Sequence, residues 1–215
     1  MDAVIENLPL YWEGFWATLR LTLVSAAFAL LLGTVLGAFR VSPVPTLRAF
    51  GTVYVELVRN TPLTLVFFFF VFVAPQIDIK LPFFVSALVA LSLYTAAFVC
   101  EAVRSGVNSV GVGQAEAARA IGLTFPQTMG QIVLPQAFRT VVPPLINIFI
   151  ALTKNSSIAA GFFVTELVAV GIRLANRNPA DVLMVLGGVA VFYLAITIPA
   201  GILAGALERR VAFAR

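Results

Sequence analysis

The composition of this 215-residue chain indicates an integral membrane protein. Hydrophobic residues make up 60% of it, charged residues make up 11%, and the mean hydropathy is +1.01, values that exclude an ordinary soluble domain. The net charge of +4 comes from basic residues scattered between apolar segments, which argues against a nucleic-acid partner. Because the chain has no histidine and one cysteine, we expect no metal site and no intrachain disulfide.

Five apolar segments are long enough to cross a bilayer core of about 30 Å. In the first of them Gly33 and Gly37 stand four residues apart, which favours close packing of another helix, with glycines that simply face lipid as the alternative. We therefore expect an all-α membrane protein that forms one transmembrane domain, 1–215. The predicted spans are 15–39, 52–74, 81–103, 141–163 and 182–207.

The basic residues between these spans predict the orientation. Eight lie on one side and three on the other, and the side with the excess is expected to face the cytoplasm. The N-terminus is then outside, the C-terminus is cytoplasmic, and the connection 105–139 is cytoplasmic. The eight are Arg40, Arg48, Arg104, Arg119, Arg139, Arg209, Arg210 and Arg215, and the three are Lys80, Arg173 and Arg177.

The longest stretch that lipid would not accommodate is 114–135. Its closely spaced alanines predict a helix of about two turns, which begins near Gly113 and is stopped by Gly122 in the left-handed conformation. Glu116 and Arg119 are its charged groups, three residues apart. The small alanine side chains leave a smooth face that another protein can approach closely.

This stretch resembles the EAA loop of permease subunits in bacterial ABC importers. The shared pattern is Glu-Ala-Ala, a glycine four residues later, and Ile-x-Leu-Pro further on, and the alternative is an ordinary amphipathic surface helix. In that family the EAA helix is the coupling helix, which rests in a groove of a separate ATPase subunit. The resemblance assigns ATPase coupling to Gly113, Gln114, Glu116, Ala117, Ala118, Arg119 and Gly122.

Two charged pairs lie near the cytoplasmic ends of the second and third predicted spans. Glu56 and Arg59 stand in a segment that resembles the E-x-x-R-G-T-P element of polar amino acid permeases, with asparagine in place of the glycine. Glu101 and Arg104 reach the same depth. Because charges there are costly unless paired, we expect two internal pairs or one network. We interpret these charges either as a fixed clasp, which holds the helices together below the transport path, or as a cytoplasmic gate that moves.

A polar cluster lies in the fourth predicted span, at Lys154, Asn155, Ser156 and Ser157. Proline suits the first turn of a helix, so we expect the span to begin at Pro143 and Pro144, which places this cluster about 15 to 20 Å into the membrane, near the midplane. It resembles the L-x-K-D-T-S-L element of the family, with Asn155 in place of aspartate. These four residues are our candidates for the substrate pathway. The alternative is that Lys154 pairs with Glu166 or with another subunit and only holds the fold.

The segment 165–177 is too polar to cross the membrane, so we expect a short helix at the outer surface or over the pathway. The sequence has no phosphate-binding loop and no group of residues typical of an intramembrane enzyme. The chain is therefore not expected to be an enzyme. An ion-coupled secondary carrier is the alternative function, although its acidic candidates lie away from the midplane. A scaffold that only recruits a cytoplasmic protein is disfavoured by the midplane cluster.

The resemblance covers nearly the whole chain and is strongest to the glutamate-uptake branch of the polar amino acid uptake family. It implies a type I ABC importer permease, with five transmembrane helices and a cytoplasmic coupling helix, in the bacterial inner membrane. Its implied partners are a second permease subunit, identical or homologous, two ATP-binding subunits and an extracytoplasmic amino acid-binding protein. ATP and Mg²⁺ would bind the ATPase partner, and this chain would hold no cofactor. The mechanism implied is alternating access.

Overall fold

The computed structural model describes residues 2–212, which are helical almost throughout and contain no strand. Short π-helical and 3₁₀ segments extend several of the helices. The α-helices are α1 (Asp2–Ile5), α2 (Leu8–Val41), α3 (Pro45–Arg59), α4 (Leu63–Phe68), α5 (Phe83–Asn108), α6 (Val112–Ala120), α7 (Phe125–Gln127), α8 (Leu134–Asn155), α9 (Leu167–Arg177) and α10 (Val182–Ala212).

Four continuous helical segments within residues 2–212 are long and apolar enough to cross a membrane. They are Leu8–Val41, Phe83–Asn108, Phe125–Phe162 and Pro179–Arg209. A fifth span results if α3 and the segment Leu63–Ile77 are counted together, although the two are bent by 99° relative to each other. The all-helical fold class with up to five spans is as the sequence predicts.

The second predicted span, 52–74, is not one kinked helix. The chain breaks at residues 60–62, where α3 ends and α4 begins. Pro62 lacks a backbone N–H and disfavours the helical conformation for Thr61, so the helix ends before it. The side chains of Asn60 and Thr61 satisfy the last carbonyl groups of α3, at 2.8 Å from Glu56 O and 2.7 Å from Leu57 O. The predicted span therefore consists of two helices that meet at a sharp bend next to Pro62.

The fourth predicted span begins much earlier than residue 141. Helical structure runs from Phe125 to Phe162 through a π-helical segment, Thr128–Val133, and Pro126 and Pro135 occupy helix starts instead of interrupting it. Pro143 and Pro144 lie inside α8 and not in its first turn. Because the π-helical segment has already interrupted the regular hydrogen-bond pattern, Pro135 costs this helix little.

The centre of the bundle is the long contact between α2 and α5. A Cβ atom placed on Gly33 would lie 2.5 Å from the Cβ of Val99, and one placed on Gly37 would lie 2.8 Å from Cγ1 of Val103. Real side chains do not approach so closely, so only glycine permits this contact. The predicted packing role of the two glycines is confirmed, because both face a helix instead of lipid.

The short helix α9 packs against α2 and α10, and its first residue follows the buried carboxylate of Glu166. The two oxygens of that carboxylate accept hydrogen bonds from Ala169 N–H at 2.9 Å, Tyr193 O–H at 2.9 Å and Thr18 O–H at 3.3 Å. Burial raises the pKa of Glu166, and these donors oppose the shift. The predicted short helix is present, but its acidic residue anchors it to the bundle instead of facing water.

Candidate functional site: a coupling helix and a path between α5 and α8

The predicted coupling helix is α6, and most of its assigned residues are exposed. Gly113, Gln114, Glu116, Ala117, Arg119 and Gly122 are exposed, whereas Ala118 is buried. The exposed residues present a continuous surface on the loop, and Ala118 packs inward beneath it. Ala118 therefore positions the surface from below and is not available for direct contact.

Three large apolar side chains beside α6 are exposed as well, and the sequence interpretation missed them. Val112, Ile121 and Phe125 have relative exposures of 72%, 79% and 64%. They flank the charged face of α6 at its two ends. Exposed apolar side chains therefore lie at both ends of the helix whose charged residues are assigned to ATPase coupling. They could have been found from the sequence, because all three are large apolar residues in the short connection between two predicted spans.

The turn after α6 connects it firmly to the long helix that follows. Gly122 adopts a left-handed φ of 88°, which ends α6, and Leu123 N–H donates to Ala118 O at 3.1 Å. At the start of α7, Thr124 N–H donates to the Gln127 side chain at 2.9 Å in a capping box. Helical structure continues from Phe125 to Phe162, so this turn joins α6 directly to the helical segment that carries residues 154–157.

A charged cluster lies at the end of α5 that is nearest α6. Glu101 accepts hydrogen bonds from Arg40 and from Arg104, and the Arg104 Nε donates at 3.1 Å. Arg59 is 3.9 Å from the same carboxylate. The charges therefore form one cross-helix network through Glu101, which joins α2, α3 and α5. Arg40 belongs to it, although no pattern in the sequence indicates this contact.

Glu56 does not belong to the network. It is exposed, and its carboxylate is approached only by the amide of Asn60 at 3.4 Å among the described residues. The expected Glu56–Arg59 pair is absent because Arg59 is directed to Glu101 and to the ring of Phe98, whose centroid is 5.4 Å from the guanidinium carbon. The expectation of two internal pairs holds only for Glu101 and Arg104.

Two adjoining cavities lie between α5 and α8. The smaller has a volume of about 110 Å³ and the larger about 270 Å³, and both are lined by Phe98 and Ile148. The smaller is also lined by Tyr94, Thr95, Ala151, Leu152 and Asn155, and the larger by Arg59, Glu101, Ala102, Ser105, Gly106, Thr140 and Pro144. The lining residues recur every three or four positions, so both cavities lie along one face of each helix and meet at Phe98 and Ile148.

The polar cluster at 154–157 divides between the path and the packed interior. Asn155 lines the smaller cavity, and Lys154 is exposed with no ion pair among the described side chains. Ser156 is completely buried and donates to Thr153 O at 2.7 Å, while Ser157 donates to Lys154 O at 2.7 Å. Ser156 therefore stabilises the end of α8, and it does not line the path.

The alternative pairing of Lys154 with Glu166 is not formed. The carboxylate of Glu166 is fully occupied by Ala169, Tyr193 and Thr18. Within the part of the chain that the structure describes, Lys154 thus has no carboxylate partner, and it is adjacent to Asn155, which lines the smaller cavity. The residues Tyr94 and Phe98, which the sequence interpretation did not single out, lie on the same face of α5 as Glu101. Their spacing from Glu101, which is typical of one face of a helix, would have identified them in the sequence.

Comparison with known proteins identifies the family. Residues 29–213 match the model of the binding-protein-dependent transport system inner membrane component family. The chain belongs to this family. It is 40% identical over 210 residues to the probable glutamine ABC transporter permease protein GlnM of Bacillus subtilis, with 98% of this chain and 97% of that protein covered. It is 42% identical over 217 residues to the glutamate transport system permease protein GluC of Corynebacterium glutamicum, with 95% of each covered.

The fold agrees with that of a solved transporter. A crystal structure of an amino acid ABC transporter with histidines superimposes with a TM-score of 0.89 at 27% identity and covers 96% of each chain. The permease fold predicted from the EAA resemblance is thus confirmed, and this family member is a membrane component of a transport system, not a catalytic subunit. The comparisons give no support to an ion-coupled secondary carrier.

Proposed function

We propose that this permease is a membrane subunit of an ATP-driven importer of a polar amino acid, with glutamate as the first candidate substrate. The observation that carries the proposal is the continuous connection from the exposed surface of α6 to the path that Asn155 borders. Full-length relatives named for glutamate and for glutamine transport support the substrate class. Glutamine is therefore the second candidate.

The chemistry of the polar cluster favours an anionic substrate. Asn155 stands where the resembling family element has an aspartate, so this position bears no negative charge. Lys154 is then a cation without a carboxylate partner among the described side chains. A positive charge inside a membrane protein is costly unless it is hydrated or paired, and a substrate carboxylate would pair with it.

The proposed assembly contains two permease subunits, identical or homologous, two ATP-binding subunits and an extracytoplasmic amino acid-binding protein. The family description, which names a binding-protein-dependent system, supports the last of these partners. ATP and Mg²⁺ bind the ATPase subunits, and this chain holds no cofactor. The chain lies in the bacterial inner membrane with its N-terminus outside and with α6 and its C-terminus in the cytoplasm, as the excess of basic residues on that side supports.

In the proposed cycle, closure of the ATPase subunits displaces α6. The rigid turn at Gly122 and Thr124 passes this movement to the helix 125–162, which forms one wall of the path. The path then opens toward the loaded binding protein, and hydrolysis returns it to the inward-open state. Such a cycle requires that the binding protein and ATP favour the same outward state.

Uptake into proteoliposomes tests the proposal. The complete importer is reconstituted with its binding protein, and labelled glutamate, glutamine and arginine are offered with and without ATP inside. We expect uptake of glutamate or glutamine that requires internal ATP, and little uptake of arginine. Uptake that follows an imposed proton or sodium gradient without ATP would overturn the ATP-driven mechanism, and preference for arginine would overturn the substrate assignment.

A further inference from the structure

Three arginine side chains surround one carboxylate at the end of the path nearest α6. Arg40 and Arg104 donate hydrogen bonds to Glu101, and Arg59 lies 3.9 Å from it. Three positive charges against one negative charge leave this cluster with a net charge of +2. The nearby Glu56 does not compensate it, because its exposed carboxylate forms no ion pair among the described residues.

Arg59 is the least engaged of the three arginines. Its side chain is 42% exposed, whereas that of Arg40 is 11% exposed, and 3.9 Å to Glu101 is too long for a hydrogen bond. The guanidinium carbon lies 5.4 Å from the centroid of the Phe98 ring. A guanidinium group carries five N–H donors, and a cation–π contact does not require them all. Arg59 is therefore oriented and still free to bind an anion.

Arg59 lines the larger of the two cavities. The cavity volume of about 270 Å³ is below the usual range for drug-sized ligands, so it suits a smaller molecule. The polar residues Ser105 and Thr140 also line it, and the Thr140 hydroxyl donates to Gln136 O at 3.2 Å. Because Phe98 and Ile148 line both cavities, a molecule that leaves the Asn155 cavity toward α6 reaches Arg59 next.

We propose that the Arg59 cavity is an exit site, which binds the α-carboxylate of the transported amino acid before release to the cytoplasm. This inference rests on the proposed function and adds a second substrate position, separate from Lys154 and Asn155. The planar guanidinium group of Arg59 matches a carboxylate with two parallel hydrogen bonds. A lipid phosphate offers similar oxygens, but the continuity with the Asn155 cavity favours the amino acid.

A filled exit site has a consequence for transport. Amino acid that accumulates on the cytoplasmic side refills the Arg59 cavity and opposes release of the next molecule. Uptake by the importer is therefore inhibited by its own internal product. The inhibition depends on the α-carboxylate and not on the side chain, since all amino acids share that group.

Direct binding tests the site without relying on transport. The permease–ATPase complex, in nanodiscs and without the binding protein, is titrated with labelled glutamate and, separately, labelled glutamine. We expect Arg59→Gln to weaken binding of both by about tenfold or more, because the charge-assisted hydrogen bonds to the α-carboxylate are lost. Arg48→Gln is the matched control, because Arg48 is exposed and its guanidinium group donates to the backbone oxygen of Ser42 at 3.1 Å.

Glu101→Gln is expected to change the affinity for the amino acid in the opposite direction to Arg59→Gln. It raises the net charge of the cluster from +2 to +3, so it should tighten amino acid binding where Arg59→Gln weakens it. A purely structural role of the network would weaken binding in both variants. Glutaminamide, in which the α-carboxylate is blocked, should compete at least tenfold less well than glutamine. Thermal unfolding of each variant checks that the complex remains folded.

Several results would overturn the exit site. The first is that Arg59→Gln and Arg48→Gln bind the amino acid with equal affinity, and the second is that Glu101→Gln binds it more weakly than the wild-type complex does. The third is that glutaminamide competes as well as glutamine. The fourth is that Arg59→Gln lowers the affinity only in nanodiscs that contain anionic lipid. In proteoliposomes, uptake insensitive to internal glutamate or glutamine would also overturn it. If the wild-type importer showed no ATP-driven uptake, the proposed function would be refuted. The binding titration would still show whether the Arg59 cavity binds the amino acid.

Discussion

Substitution of Gly122 tests whether the turn after α6 transmits force. Gly122 is the only glycine among the described residues with a positive φ, 88°, and a Cβ atom built there would meet no atom within 4 Å. Gly122→Ala therefore adds backbone strain without a steric clash. The left-handed conformation costs an L-residue about 1 to 2 kcal/mol. This cost biases the loop by roughly 5- to 30-fold against the turn that orients α6.

The assay is ATP-driven uptake measured together with ATP hydrolysis in proteoliposomes. We expect Gly122→Ala to lower uptake by roughly fivefold or more and to raise the ATP hydrolysed per amino acid. Gly122→Asn should retain more uptake, because asparagine tolerates the left-handed conformation better, and Gly122→Val should retain less. The order Asn, Ala, Val follows from backbone strain alone.

Gly130→Ala is the matched control. Gly130 lies in the π-helical segment just beyond the turn, has no positive φ, and also has open space around a built Cβ atom. Alanine there is expected to leave uptake unchanged or slightly stabilise the helix. If Gly122→Ala and Gly130→Ala gave the same uptake and the same ATP consumption, the turn would not be the element that transmits movement.

Three further substitutions test other parts of the account. Glu116→Lys, on an exposed side chain, should raise ATP consumption per amino acid while the protein still inserts, and an unchanged ratio would count against coupling through α6. Lys154→Met should lower glutamate uptake by about tenfold more than glutamine uptake, whereas equal losses would indicate a structural role. Gly33→Leu should lower the thermal unfolding midpoint, because the larger side chain overpacks against Val99 at a cost of about 1 to 3 kcal/mol. Gly201→Leu is the control, because a Cβ atom at Gly201 has open space around it, and equal midpoints for the two variants would contradict the prediction.

The local features of the coupling loop were predictable because short-range chemistry determines them. The alanines favour helix, Gly122 accepts the left-handed conformation, and the predicted helix and its stop both occur. The close packing at Gly33 and Gly37 was likewise visible from their spacing, since only small residues let two membrane helices approach. Each of these depends on a few neighbouring residues.

Contacts between distant parts of the chain were not predictable in the same way. Arg40 was counted only as a cytoplasmic charge, because nothing in a single sequence reveals that α2 brings it to Glu101. Hydropathy placed the fourth span at residue 141, because it detects apolar residues and not the polar helix 125–140 that precedes them. Proline gave an ambiguous signal: Pro62 breaks a span, whereas Pro143 and Pro144 are tolerated inside a helix.

The most direct test of the central claim is photo-cross-linking from α6. A photo-reactive benzoylphenylalanine replaces exposed Ala117, and a second preparation carries it at Gly201, in α10. During ATP-driven uptake, we expect the probe at 117 to attach to the ATPase subunit, with a yield that changes when the ATPases are trapped closed by vanadate, and the probe at 201 to give no such adduct. A preparation that transports amino acid but forms no ATPase adduct at position 117 would contradict the account.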